Sequence, residues 1–292
     1  MDFGRVIAAM VTPFTEDYAV DYDAAQQLAA YLLDQGVDGL VLCGSTGENP
    51  TLTKEEKLKL FAAVKQVTKG RALLIAGTSG YNTMTSVELS QKAESLGADA
   101  LLAVTPYYNK PPQEGLYQHF KAIAEAVRIP VILYNVPSRT GVNLQPQTVE
   151  RLAQLDNIAG LKEAACCMEQ MIEIRLRTPA DFLIYSGDDA TTLPMLAMGA
   201  CGVISVSAHL IAQPLQEMIA AFERGDNDKA LELHNRYYPL NSKLFIRSNP
   251  IPLKYCLNKL GLPAGPCRLP LIAADAEAAR ELDALLVEYG LL

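Results

Sequence analysis

Residues 158–165 read IAGLKEAA and place a lysine, Lys162, directly after a short apolar run. Such a run predicts a buried strand, and a strand end is a poor place for a solvated charge. Two other apolar runs also end in chemically active residues: residues 131–135 (VILYN) contain Tyr134, and residues 40–43 lead into GSTGE at 44–48. We infer that the fold places these strand ends around the amine of Lys162.

Apolar runs alternate with helical patterns along most of the chain. Strands are predicted at residues 6–11, 39–43, 72–76, 100–104, 130–134, 158–161, 182–185 and 202–206. They are apolar on both faces, as in parallel strands covered by helices. Eight strand–helix units favour an α/β fold of the closed (β/α)8, or TIM-barrel, type. A doubly wound sheet is the alternative, but its usual Gly-x-Gly-x-x-Gly turn is missing after the first strand, where residues 12–14 read TPF.

Helices are predicted from apolar residues at helical spacing and from end signals. Asp21 is suited to cap the first helix, Gly36 to end it, and Thr53 with Glu56 has the spacing of a capping box. Later helices are predicted at residues 83–96, 113–127, 146–155, 169–176, 188–198, 214–224, 230–240, 251–260 and 276–289. We assign residues 1–225 to a catalytic barrel and residues 226–292 to a C-terminal helical region packed on it.

The composition restricts the partners of the chain. A net charge of −8 argues against nucleic acid or an anionic membrane as the main partner. No apolar stretch approaches about 18 residues, so we expect neither a signal peptide nor a membrane span. The six cysteines include no Cys-x-x-Cys pair, which indicates reduced thiols in the cytoplasm. The three histidines are far apart in sequence, so we expect no metal site.

Active sites of such barrels lie at the carboxyl ends of the strands. The residues at these ends are Ser45, Thr46 and Glu48 after strand two; Thr105, Tyr107, Tyr108 and Asn109 after strand four; Tyr134, Asn135, Ser138 and Arg139 after strand five; Lys162 and Glu163 after strand six; and Gly187, Asp188 and Asp189 after strand seven. One lysine, several hydroxyl groups and one arginine suit chemistry at a carbonyl group.

Lys162 is the candidate nucleophile. A free lysine amine has a pKa near 10.4 and is protonated at neutral pH, whereas desolvation at the mouth of an apolar barrel lowers that pKa and permits a Schiff base. The alternative is a lysine that extends toward water or pairs with Glu163. Tyr134 ends the neighbouring strand and is suited to transfer protons, its alternative being a core tyrosine with a bonded hydroxyl group.

Two features suit the binding of carboxylates. The GSTG loop offers backbone N–H groups and two hydroxyl groups, and it lacks the ending of a phosphate loop. Arg139 suits bidentate carboxylate binding, with a surface ion pair as the alternative. Asp188 and Asp189 stand where many barrels bind phosphate, which argues against a phosphorylated substrate, and the pair is equally suited to capping the next helix.

Several motifs together resemble one known family. They are VTPF (11–14), GSTGE (44–48), TPYYNKP (105–111), YNVPSRTG (134–141), LKEA (161–164), SGDDA (186–190), GVISV (202–206) and NPIPLK (249–254). In this order and across essentially the whole chain, they resemble the dihydrodipicolinate synthases, also called 4-hydroxy-tetrahydrodipicolinate synthases. That family belongs to the pyruvate-dependent lysine aldolases, which include N-acetylneuraminate lyase.

The resemblance implies a catalytic role for four residues. Lys162 would form the Schiff base with pyruvate, and Tyr134 would be the general acid/base. Ser45 and Tyr108 would extend a proton relay with Tyr134, Tyr108 reaching in from the partner subunit of a tight dimer. Members of the family are commonly homotetramers, which are dimers of such dimers, and they need no metal or organic cofactor.

The resemblance also implies the substrate contacts. Thr46 and the backbone of Ile204 would help to hold pyruvate, Gly187 would be a further substrate-binding residue, and Arg139 would anchor L-aspartate-4-semialdehyde. The enamine of pyruvate would attack the aldehyde carbon, and cyclisation would release 4-hydroxy-tetrahydrodipicolinate, the entry to diaminopimelate and lysine biosynthesis.

Three departures from the family pattern stand out. Ser45 occupies a position that usually holds threonine, and GSTGE is also typical of the neuraminate-lyase branch. Where lysine-inhibited members place histidines, an asparagine and a glutamate, this chain has Lys54, Lys57, Tyr81 and Thr85, so we expect lysine to inhibit it weakly or not at all. His209 replaces a smaller residue, with no consequence evident from the sequence.

Two alternative functions remain at this stage. A sister enzyme that cleaves N-acetylneuraminate or a 2-keto-3-deoxy sugar acid would use the same Lys162 and Tyr134 with a different second pocket. Arg139 and Tyr108 argue against it, because a polyol tail needs neutral hydrogen-bonding groups. A barrel that binds a keto acid without catalysis is the second alternative, and the retained Lys162 and Tyr134 argue against it.

Overall fold

Eight parallel strands form a closed barrel in a computed structural model that describes residues 3–292. The strands are β1 (Val6–Ala9), β2 (Gly39–Leu42), β3 (Leu73–Gly77), β4 (Ala100–Val104), β5 (Val131–Asn135), β6 (Ile158–Glu163), β7 (Leu183–Ser186) and β8 (Gly202–Ser205). They follow one another around the barrel in chain order. The predicted (β/α)8 fold is therefore confirmed.

Helices follow the strands and also form the C-terminal region. They are α1 (Tyr22–Asp34), α2 (Lys54–Thr68), α3 (Thr83–Ser95), α4 (Gln113–Glu125), α5 (Pro137–Thr140), α6 (Pro146–Leu152), α7 (Met168–Arg177), α8 (Thr192–Ala197), α9 (Ala208–Glu223), α10 (Asn227–Lys243), α11 (Ile251–Lys259) and α12 (Ala276–Glu288). Among helices within residues 3–292, none combines the length and the apolar character that a membrane crossing requires.

The end signals of the first two helices are confirmed. The Asp21 side chain accepts a hydrogen bond from the backbone N–H of Ala24 at the start of α1. Thr53 and Glu56 form both halves of a capping box at the start of α2. These local bonds satisfy N–H groups that a helix leaves without partners at its first turn.

Two predicted helices begin elsewhere in the structure, and one short helix was not predicted. The helix expected from residue 214 begins at Ala208, and its backbone departs from helical geometry at Ile211. Pro214 then lies in the first turn after this kink, where a proline needs no N–H partner. The helix expected at 188–198 is a 3-10 turn, Asp189–Thr191, followed by α8. The short helix α5 was not predicted, because four residues give no periodic signal.

The chain divides into two compact units. One contains the residues up to Leu74 together with Ser205–Leu292, and the other contains Ile75–Ile204. In the first unit α9 packs against β1 and α10, while α11 packs against α12. In the second unit β4 to β7 pair in parallel. The helices there pack each against the next in the order α3, α4, α6, α7 and α8. The predicted boundary between residues 225 and 226 stays a prediction.

His209 joins two backbone segments of the first unit. It is fully buried, its Nδ1 lies 2.8 Å from the carbonyl oxygen of Val206, and its Nε2 accepts from the N–H of Val11 at 3.3 Å. Burial lowers the pKa of its imidazole to about 4, so the ring is neutral at physiological pH. The residue for which the sequence offered no account thus bonds the backbone next to β1 to that after β8.

Candidate active site

Lys162 and Tyr134 stand opposite each other on β6 and β5. Both side chains are nearly buried, with 5% and 6% of their surface exposed, and the Lys162 Nζ lies 4.5 Å from the centre of the Tyr134 ring. Paired residues on neighbouring parallel strands face the same side of the sheet. The strand register alone therefore brings the predicted nucleophile and the predicted acid/base into contact.

The Lys162 amine has an unusual electrostatic environment. Its pKa is lowered to about 8, chiefly by burial and also by the charge of Arg139, while the charges of Asp189 and Asp188 oppose the shift. Within residues 3–292, no hydrogen bond of Nζ contributes to this shift, and the carboxylates of Asp189 and Asp188 act on the amine only through their charge. At pH 7 roughly a tenth of an amine with this pKa is unprotonated, compared with fewer than about one in a thousand for a free lysine. Lys162 can therefore act as a nucleophile at neutral pH.

Glu163 does not pair with Lys162, so that alternative is wrong. Successive side chains of a strand point to opposite faces, and Glu163 points away from the amine. Its carboxylate is 2% exposed and accepts hydrogen bonds from the Asn135 side chain, the Ala165 backbone and the Gln170 side chain. Burial raises its pKa, and these hydrogen bonds counteract the rise.

Arg139 lies on the short helix α5, which follows β5 directly. Gly141 ends this helix with a φ of +70°, a conformation that glycine adopts without strain. Thr140 bonds to the carbonyl oxygens of Val136 and Val142, and it receives a hydrogen bond from Thr105 after β4. The Arg139 side chain is exposed, and its positive charge contributes to the lowered pKa of the Lys162 amine.

The residues after β7 have mainly structural partners. The Asp188 side chain accepts from the N–H groups of Ala190 and Thr191, so it caps the following turn, as one of the two sequence interpretations held. Gly187 donates its N–H to the carbonyl oxygen of Glu163 at 2.7 Å. A Cβ at Gly187 would lie 2.7 Å from the Cβ of Ala164, so this close approach needs glycine. Ile204 is fully buried within β8.

The GSTGE loop belongs to the other unit and is firmly held there. Thr46 is 3% exposed, and its hydroxyl oxygen accepts from the Asn249 side chain at 2.9 Å. The carbonyl of Gly47 accepts from the Thr12 hydroxyl at 2.7 Å. Ser45 is only partly buried. Because Asn249 donates to the oxygen of Thr46, the hydroxyl proton of Thr46 is directed elsewhere and is available to a ligand.

A buried ion pair below this loop was missed by the sequence analysis. The Lys254 Nζ lies 2.7 Å from the Glu48 Oε1, and both side chains are almost completely buried. The same Nζ donates to the carbonyl oxygen of Pro266, and the other Glu48 oxygen accepts from the N–H of Arg268. A lysine within the apolar helical run IPLKYCL was the available signal, but its partner is distant in sequence.

Tyr107 and Tyr108 differ sharply after β4. Tyr107 packs the edge of its ring against Tyr81 at 5.3 Å, whereas Tyr108 has 89% of its surface exposed and a φ of +73°. A left-handed backbone is costly for a tyrosine. The structure brings Lys162 and Tyr134 together, with the charge of Arg139 acting on the amine, and it leaves Tyr108 at the surface of the single chain.

A (β/α)8 barrel with a buried, unpaired lysine amine at the carboxyl end of a strand is the architecture of an enzyme that forms a Schiff base. The chain belongs to the dihydrodipicolinate synthetase family, which it matches over residues 2–289.

Similar proteins cover the whole chain. It is 54% identical over 292 residues to the 4-hydroxy-tetrahydrodipicolinate synthase of Moorella thermoacetica, with 100% of both chains covered. It is 51% identical over 292 residues to that of Desulforudis audaxviator, with 100% of this chain and 99% of the relative covered. The crystal structure of the synthase from Cyanidioschyzon merolae with lysine bound superposes with a TM-score of 0.98 at 45% identity and covers 99% of each chain.

Proposed function

We propose that this chain condenses pyruvate with L-aspartate-4-semialdehyde to give 4-hydroxy-tetrahydrodipicolinate, a step of diaminopimelate and lysine biosynthesis. The observation that carries this proposal is the buried Lys162 amine, which has a pKa of about 8 and lies against Tyr134 without a carboxylate partner. Family membership supplies the substrates.

The reaction begins at Lys162. Its Nζ adds to the keto carbon of pyruvate, and loss of water from the carbinolamine leaves the imine. Removal of a proton from the methyl carbon gives an enamine, which attacks the aldehyde carbon and forms the new C–C bond. The amino group of the semialdehyde then displaces Nζ at the imine carbon, so the ring closes and the free lysine returns. Tyr134 moves the protons at each stage, because its hydroxyl is carried by the strand next to the nucleophile.

The remaining residues have supporting roles in this proposal. Thr46 donates its hydroxyl proton to the pyruvate carboxylate, the backbone of Ile204 helps to hold pyruvate, and Gly187 is a further substrate-binding residue. Ser45 and Tyr108 extend the proton relay from Tyr134. The 89% exposure of Tyr108 supports its entry into the site of a partner subunit. We therefore propose a homotetramer built from two tight dimers, active in the cytoplasm without a metal or an organic cofactor.

In this proposal Arg139 determines the specificity for the second substrate. A guanidinium group binds a carboxylate in a bidentate manner, and L-aspartate-4-semialdehyde carries one beside its amino group. The polyol of N-acetylneuraminate or of a 2-keto-3-deoxy sugar acid would place hydroxyl groups there instead. The position of Arg139, where its charge acts on Lys162, supports the synthase over the sister lyases.

We propose that lysine inhibits this enzyme weakly or not at all. The similar synthase of Cyanidioschyzon merolae was crystallised with lysine bound. In this chain Lys54 and Lys57 occupy positions that hold histidines in lysine-inhibited members, and Lys57 is half-buried with a pKa lowered by desolvation. A second ammonium group placed beside these lysines would be repelled.

Reductive trapping tests the proposed nucleophile. The protein is incubated with pyruvate and borohydride and its mass is measured: we expect one pyruvyl adduct per chain, located by peptide mapping at Lys162 and absent from Lys162→Ala. An adduct-free wild type would refute the aldolase chemistry. Parallel assays with L-aspartate-4-semialdehyde and N-acetylneuraminate then choose the branch. Arg139→Ala should impair the first activity far more than pyruvate trapping, which should slow only as far as the loss of the Arg139 charge raises the pKa of Lys162.

A further inference from the structure

Four polar side chains form a cluster on the face of β5 and β6 that is opposite Lys162 and Tyr134. Asn135 and Glu163 are paired in register, one residue beyond the catalytic pair. The Asn135 Nδ2 lies 3.1 and 3.0 Å from the two Glu163 carboxylate oxygens and 2.8 Å from the Asn143 Oδ1. Gln170 of α7 donates to Glu163 at 3.1 Å and exchanges hydrogen bonds with Asn143. We call these residues the Glu163 cluster.

The Glu163 cluster requires a carboxylate at its centre. The groups that hydrogen-bond the Glu163 carboxylate are donors: the side-chain amides of Asn135 and Gln170 and the backbone N–H of Ala165. A buried carboxylate is unfavourable unless such donors satisfy it, and here they do. A glutamine at position 163 would turn its own NH₂ group toward donors, and so it would break the cluster at nearly constant volume.

The cluster closes the segment that carries Arg139. Residues 136–144 leave β5 after Asn135 and return to it, because the Asn135 Oδ1 accepts from the backbone N–H of Leu144 at 2.9 Å. Asn143 fixes the same end through Asn135 and Gln170. The middle of the segment is bonded to Thr105 through Thr140. The base of the Arg139 loop is thus set by side chains whose common anchor is Glu163.

We propose that Glu163 is a positioning residue for Arg139, and that the Glu163 cluster sets the affinity for the carboxylate of the second substrate. This inference rests on the proposed function of Arg139. It separates two tasks on the same pair of strands. Strand pairing holds Lys162 against Tyr134 for the pyruvate step, whereas the side chains behind the sheet hold the loop that selects the aldehyde.

Two variants test this assignment by their effect on each substrate. Asn143→Ala removes an exposed member of the cluster and leaves the fold intact, while Glu163→Gln disrupts its centre. We expect both to raise KM for L-aspartate-4-semialdehyde by roughly tenfold, because a displacement of about 1 Å in a binding group has large kinetic effects. KM for pyruvate and the rate of borohydride trapping should change less than about twofold, since strand pairing is untouched.

Asn157→Ala is the matched control for stability. The Asn157 side chain donates to the carbonyl oxygens of Ala124 and Val127 at the amino end of β6, away from the Arg139 loop. Its loss should lower the melting temperature without changing the ratio of the two KM values. If Asn143→Ala and Glu163→Gln lower stability but leave that ratio unchanged, or raise both KM values alike, the positioning role is refuted.

The wild-type protein distinguishes this inference from the proposed function. Failure of the wild type to form the pyruvate adduct or to consume the semialdehyde would refute the function itself. A competent wild type whose Arg139→Ala variant loses semialdehyde affinity, while the two cluster variants keep it, would refute only the role of Glu163.

Discussion

Lys162 and Lys254 are both buried, with 5% and 2% of their surfaces exposed, but they have opposite surroundings. Lys254 is held by Glu48 at 2.7 Å and by the carbonyl oxygen of Pro266. Lys162 faces the ring of Tyr134, and its pKa falls to about 8. Burial lowers the pKa of both amines, whereas only Lys254 has an ion-pair partner that opposes the shift directly. We therefore expect a buried lysine to be structural when it is paired and chemically reactive when it is not.

Removing Lys162 should give the largest effect on activity. We expect Lys162→Ala to lower the turnover number by at least about a thousandfold, because the variant lacks the buried amine proposed to form the imine. Its melting temperature should not fall. Steady-state assays and thermal unfolding check both statements. Turnover within tenfold of the wild type would show that the Lys162 amine is not the nucleophile.

Breaking the paired lysine should instead affect folding. Lys254→Met leaves the Glu48 carboxylate buried without its partner, so we expect the free energy of unfolding to fall by about 3–5 kcal/mol. The double variant Lys254→Met with Glu48→Gln should recover part of that loss, because no unpaired charge remains. Chemical denaturation at pH 7 measures both. A double variant as unstable as the sum of the two single variants would show that the pair is not energetically coupled.

The unpaired lysine should carry a measurable stability cost that depends on pH. Its pKa is lowered from 10.5 to about 8 in the folded chain, so Lys162→Met should stabilise the protein by about 3 kcal/mol at pH 7. Between pH 8 and 10.5 the unfolded chain binds more protons at this group, and wild-type stability therefore rises relative to the variant. Denaturation at pH 7, 9 and 10.5 measures the difference in the free energy of unfolding between the wild type and the variant, which should become smaller as the pH rises. A difference independent of pH would show that Lys162 titrates normally.

Lys57 extends the comparison to a half-buried lysine, with the smallest expected effect. We expect lysine to inhibit with a constant above about 1 mM, equivalent to binding weaker than about 4 kcal/mol. The triple variant Lys54→His, Lys57→His and Thr85→Glu should gain sensitivity, because it removes two cations and adds a carboxylate. Initial rates at increasing lysine concentrations give the inhibition constants of the wild type and of the triple variant. Sub-millimolar inhibition of the wild type would overturn the prediction.

The barrel was predictable because its signals are local. Each apolar run and each cap, such as Asp21 at α1, concerns neighbouring residues, and eight repetitions leave few topologies open. The position of Lys162 opposite Tyr134 also followed, because strand ends of a parallel barrel meet at one mouth. The start of α9 was misplaced, because the kink at Ile211 allows the helix to begin before Pro214.

The sequence by itself determined the fold class and the amine at its centre, since hydrophobic periodicity and strand-end chemistry are properties of short segments. Only the tertiary structure decided which charges are paired. Glu48 forms an ion pair with Lys254, which is more than two hundred residues away in sequence. Glu163 accepts hydrogen bonds from Asn135 and Gln170 and does not pair with its neighbour Lys162. The partners of Glu163 depend on the direction of its side chain, which the alternating faces of a strand set. The partner of Glu48 depends on long-range packing, which a local sequence pattern does not contain.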